Sequence, residues 1–127
     1  MRALGMAWTA VILCAALLPL SDFKDHAHWT RVQWVPFVTP PVILRDVLLN
    51  ILLFVPFGYL LSKRPPACGR SVIGIVCRGA LLSGLIEFLQ IFTHGRFPSA
   101  TDLVNNVVGA ALGVGLARFR GGEDPRA

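Results

Sequence analysis

Charge is scarce in this chain. Asp, Glu, Lys and Arg together make up 15% of its 127 residues, against 54% hydrophobic ones. Ordinary soluble domains carry roughly 25% charged residues, so a water-facing surface cannot be assembled from this composition. Acids are scarcer still, 7 against 12 basic residues. The bases form no stripe interleaved with aromatics, which argues against a nucleic-acid partner. Cysteine is limited to Cys14, Cys68 and Cys77, odd in number, without a CxxC, and two of the three lie inside apolar runs. That excludes a disulfide framework and a thiolate metal site, and leaves small buried hydrophobes. No A-x-A cleavage site follows the first apolar run, where LLPLSDF stands instead. Its 18 residues also exceed a usual signal-peptide core, so a retained first helix is expected.

What the chain has is long apolar runs. Ala3 to Leu20, Val42 to Leu61, Val72 to Phe92 and Leu103 to Phe119 span 18, 20, 21 and 17 residues, the last extending back towards Ser99. Each is near the ~20 residues that cross about 30 Å of hydrocarbon. The expected fold is all-α, one membrane domain over residues 1–127 with four transmembrane helices. Arg2, Lys63, Arg64, Arg70, Arg118, Arg120 and Arg126 would then share one side, and Lys24, Arg31, Arg45 and Arg96 the other. By the positive-inside rule both termini are cytoplasmic, and Arg78 can snorkel to the same side. Trp29, Trp34 and Phe37 read as an interfacial aromatic belt on the outer surface.

Against this background a few polar side chains stand out. Glu87 and Gln90 lie in VCRGALLSGLIEFLQIF, where the nearest polar neighbour is Ser83. An ionisable group inside a span costs roughly 2.5 to 3.5 kcal/mol on insertion scales, so Glu87 needs a partner or a function, with Arg45 or Arg96 as the expected partner. Asp46 and Asn50 are spaced i, i+4, as are Asp102 and Asn106, while Ser83, Glu87 and Gln90 follow i, i+4, i+7. Each helix thus presents one polar face near its outer end, and these faces point inward.

Pro56 cannot donate to the Leu52 carbonyl, so a kink is expected in the second helix, eased by Gly58. Gly109 and Gly113 form a G-x-x-x-G face that lets another helix approach closely. The second and fourth helices also form a weak internal repeat at an offset of 56, each beginning with D-x-x-x-N.

The order R-D-x-x-x-N-x-x-x-F-x-P-x-G, then E-x-x-Q, then R followed by D-x-x-x-N-x-x-G-x-x-x-G runs from Arg45 to Gly113. This pattern resembles the VanZ-like family of small integral membrane proteins. The resemblance marks Arg45, Asp46, Asn50, Pro56, Gly58, Glu87, Gln90, Arg96, Asp102, Asn106, Gly109 and Gly113, and implies a multi-pass protein of the bacterial cytoplasmic membrane. The family is named for an accessory protein that raises teicoplanin resistance, a property that the resemblance alone does not transfer.

Plain structural roles stand beside the functional ones. Asp46 and Asp102 lie in first helical turns, where the helix dipole favours a carboxylate, and Ser99-x-x-Asp102 resembles a capping box. Asn50 and Asn106 can bond across helices, worth on the order of 0.6 kcal/mol each, and the arginines can anchor at the interface. Asp22, Asp25, His26 and His28 have metal-ligand chemistry but share one loop with no second cluster of fixed spacing, so no metal and no cofactor is expected. A Ser83 and His94 hydrolytic pair fails on a separation of roughly 16 Å along one helix.

Three function classes follow. In the first, Arg45, Asp46, Asn50, Glu87, Gln90, Arg96, Asp102 and Asn106 line an outer site for an anionic lipid or envelope-precursor ligand, with an effect on envelope antibiotic tolerance. In the second, Glu87 is the general acid or base of an enzyme acting on a lipid-linked substrate. The third is a purely structural or partner-binding helical unit. Membrane lipids are expected partners in each, and the oligomeric state is left open.

Overall fold

Local chemistry sets the helix ends in the computed structural model, which describes residues 1–38, 43–63 and 71–122. The first helix, α1 (Arg2–Leu17), stops three residues short of the expected Leu20. Pro19 is the cause: the residue before a proline is driven out of the α region, and Leu18 is extended at φ −84°, ψ 147°. Helix α2 covers Leu44–Ser62, with Pro56 inside it. Helix α3 covers Val72–Gln90 and opens on Ser71, whose hydroxyl accepts from the Gly74 N–H at 3.0 Å, an N-cap. Helix α4 covers Ala100–Gly122. Short 3₁₀ turns occupy Leu20–Asp22 and Trp29–Arg31. Val42, Arg64, Cys68, Arg70 and Arg126 lie outside the described residues.

The described chain is all-helical apart from two isolated bridges, and α2, α3 and α4 are long and apolar enough to cross a membrane. With 16 residues, α1 rises about 24 Å at ~1.5 Å per residue, below the usual span. Leu48, Leu52, Ile73, Leu81, Leu85, Leu112 and Phe119 are exposed on the outside of the bundle, where water would penalise them and lipid would not.

The most extensive helix interface is between α2 and α4. They run parallel: a Cβ on Gly109 would overlap the Ile51 carbonyl oxygen, and one on Gly113 the Val55 carbonyl oxygen four residues further along both helices. Gly58 faces the Ala110 carbonyl just as closely, so its observed contribution is this backbone approach. Helix α3 is antiparallel to both, with Gly79 against Ala110 and Ser83 against Asn106. The core is built from Ile12, Phe54, Phe57, Leu61, Ile75, Ile86, Ala110 and Val114. Trp8 pins α1 to α2 by donating its indole N–H to the Leu53 carbonyl at 2.9 Å. That carbonyl is the next one after Leu52, whose usual donor Pro56 removes.

Two connections meet at one end of the bundle. Residues 18–38 follow α1 and residues 91–99 join α3 to α4; they bond to each other through Lys24 N–H to Phe92 O, His28 N–H to Ile91 O and Gln33 N–H to Pro98 O, and the Ala100 N–H at the start of α4 donates to Gln33 O. The result is a stitched cap over the end where α2 and α4 begin and α1 and α3 finish.

Candidate functional site

Beneath the cap lies a cavity of about 570 Å³. Arg45, Asp46, Asn50, Glu87, Gln90, Arg96, Asp102 and Asn106 all line it, with Gln33, Ser99 and Thr101 among the other polar residues. Three helices and a loop bring these eight side chains to one place. The parallel course of α2 and α4 sets Asp46 and Asn50 beside Asp102 and Asn106, and α3 delivers Glu87 and Gln90 in its last turn.

The internal bonds are specific. Glu87 Oε2 accepts from the Ser99 backbone N–H at 2.6 Å. The Ser99 hydroxyl accepts from the Thr101 N–H at 3.1 Å, so Ser99 is the N-cap of α4. In a capping box the third helical residue would reach back to the cap N–H. Here Glu87 takes that position from another helix, and Asp102 is turned to Asn50, whose Nδ2 donates to Asp102 Oδ1 at 2.8 Å. Gln90 Nε2 donates to the Ala16 carbonyl at 2.9 Å, and an Arg96 Nη donates to the Ala15 and Leu18 carbonyls at 3.3 and 3.4 Å, closing the frayed end of α1.

The expected ion pair at Glu87 is not formed: among the described residues neither Arg45 nor Arg96 pairs with it, and its partner is the Ser99 amide. The reason is distribution. Arg96 is drawn to unpaired α1 carbonyls, and Arg45 sits exposed at the rim with no hydrogen bond or ion pair among the described residues.

One acceptor is left over inside. Asn106 is 5% exposed and gives Nδ2 to the Ser83 hydroxyl at 2.9 Å, while its Oδ1 has no partner. A hydroxyl both donates and accepts, so flipping the amide only moves the orphan to the other atom. Asn105 Nδ2 is a second buried unpartnered atom.

Several contributors were not legible in the sequence. The Ser99 amide is a backbone donor and carries no residue-type signal. Thr101 Oγ1 accepts from the Phe37 N–H at 2.8 Å, and Phe37 holds a left-handed φ of 62°. His94 meets His26 and His28 across the cap, with ring centroids 5.9 and 4.5 Å away. The spacing signal missed this because His94 comes from the other connection. In this exposed loop, partial desolvation first, then the charges of His94, Arg31 and His26, lower the His28 pKa. A hydrogen bond from His26 holds the Asp25 carboxyl below its ordinary range.

Three span-length apolar helices around a polar cavity define a small helical membrane protein. The family model described as VanZ/LLP1 matches residues 3–121, and the chain belongs to that family. No curated protein and no solved structure matches it.

Proposed function

We propose that the cavity receives the anionic head of a membrane lipid or lipid-linked envelope precursor, from the outer face of the bacterial cytoplasmic membrane. The observation that carries this reading is Arg45, which lines the cavity at its exposed rim and whose donors are uncommitted among the described residues. Net charge does not draw an anion here, because Asp46, Glu87 and Asp102 outnumber Arg45 and Arg96. Geometry is what favours one here: Glu87 accepts from Ser99 and Asp102 from Asn50, while Arg45 keeps its planar fork for a phosphate or carboxylate. The unpartnered end of the Asn106 amide, acceptor or donor according to its flip, is one further polar group in the lining.

In this reading α1 is a fourth crossing and both termini are cytoplasmic. The bias of seven basic residues against four supports it, and so do the exposed Trp29 and Trp34 on the cap, at a position suited to the headgroup layer. Ligand capture at this face would act on envelope antibiotic tolerance.

The Ser99 bond favours a second, structural role for Glu87 itself, as the cap of α4 rather than a proton carrier. The functional test compares Arg45→Ala, Arg96→Ala and Asp102→Asn for survival under cell-envelope antibiotics beside a quantified membrane immunoblot. Loss of one shared phenotype at normal protein level supports the site; normal accumulation with full activity removes it.

A further inference from the structure

We infer that His26, His28 and His94 form a binding site for a divalent transition ion of the Zn²⁺ class on the cap, separate from the polar cavity. One ring nitrogen from each of the three lies within 4.8 Å of the others. His28 Nε2 and His94 Nδ1 already face each other at 3.0 Å, although 66 residues separate them in sequence. Two imidazoles on a tetrahedral ion, with Zn–N of about 2.0–2.1 Å, have their nitrogens about 3.3 Å apart. The closest pair therefore needs to open by only a few tenths of an ångström. The third nitrogen moves inward by a small rotation of His26, which is exposed.

The surroundings suit an ion in further ways. Asp25 Oδ1 lies 2.9 Å from His26 Nδ1, the carboxylate–histidine arrangement that fixes a tautomer and leaves Nε2 to the metal. His94 is held from behind: its carbonyl accepts from an Arg31 Nη at 2.7 Å, and its N–H donates to the Asp22 carbonyl at 3.0 Å. Arg31 adds a nearby positive charge, which Asp25 and Asp22 offset. In the bound form the proton shared between His28 Nε2 and His94 Nδ1 moves to the far nitrogen of its ring, so three neutral imidazoles donate lone pairs and the ion keeps its charge. Imidazole ligands favour Zn²⁺, Cu²⁺ and Ni²⁺ over Mg²⁺ or Ca²⁺. Three protein ligands leave a fourth position for water.

Such an ion would join the connection 18–38 to the connection 91–99 and pin the cap. The test uses the full chain without a polyhistidine tag, in detergent, titrated with Zn²⁺ against a chromophoric chelator. The wild type is expected to take one equivalent per chain and to gain thermal stability with the ion. His28→Gln and His94→Gln should each weaken binding by more than tenfold, and Asp25→Asn by about 10- to 100-fold. Circular dichroism establishes that the variants are folded. Absence of stoichiometric Zn²⁺ binding by the wild type overturns the site outright, as does unchanged affinity in folded His28→Gln and His94→Gln.

Discussion

The backbone N–H of Ser99 donates to Glu87 Oε2 at 2.6 Å, joining the start of α4 to the last turn of α3. A carboxylate inside an apolar helix thereby substitutes for the missing half of a capping box. Glu87→Gln keeps an oxygen in place to accept, whereas Glu87→Leu leaves the amide orphaned. Thermal unfolding in detergent should show a small loss for Glu87→Gln and about 1–3 kcal/mol for Glu87→Leu. Equal losses would mean that the bond contributes nothing.

Glu87 also shows where sequence reasoning reached and where it stopped. Its cost in hydrocarbon singled it out, and the i, i+4 spacing singled out Asp46, Asn50, Asp102 and Asn106, all of which line the cavity. Partner choice was not legible, because the groups that satisfy Glu87 and Arg96 are backbone atoms of Ser99, Ala15 and Leu18. The helices were readable from their length and apolarity. The end of α1 was set by one proline, and Gly58 by an approach that only tertiary packing reveals.

Close packing of α2 on α4 gives a matched pair of substitutions. A methyl on Gly113 meets the Val55 carbonyl, while Gly115, two residues on, has open space. Gly113→Ala is expected to lower stability by about 1–3 kcal/mol through overpacking. Gly115→Ala should be neutral or stabilising, since alanine is the better helix former. Membrane-fraction level and unfolding midpoint read both, and indistinguishable variants would contradict the interface.

Across that interface, Asn50 and Asp102 form one interhelical hydrogen bond. A double-mutant cycle with Asn50→Ala and Asp102→Ala should return a coupling on the order of 0.6 kcal/mol, with a ceiling of about 1.7. Additive effects would separate the two residues.

Orientation is open to thiol labelling. In a background where Cys14, Cys68 and Cys77 are replaced, a cysteine at the exposed Thr30 should react with an impermeant reagent from outside the cell, and one at Gly121 should react only after permeabilisation. The reverse pattern would invert the proposed topology and move the cavity to the cytoplasmic face.

Arg45 offers the sharpest test of the binding reading, since it spends no hydrogen bond or ion pair on the fold among the described residues. The measurement is native mass spectrometry of the protein released from nanodiscs containing equal amounts of an anionic phospholipid and a zwitterionic one, for the wild type and Arg45→Ala. The wild type is expected to retain one anionic lipid per chain, and Arg45→Ala, folded and equally abundant, to lose it at least tenfold. Equal retention of both lipids by the wild type, or undiminished anionic-lipid retention by Arg45→Ala, would contradict an anion-binding cavity.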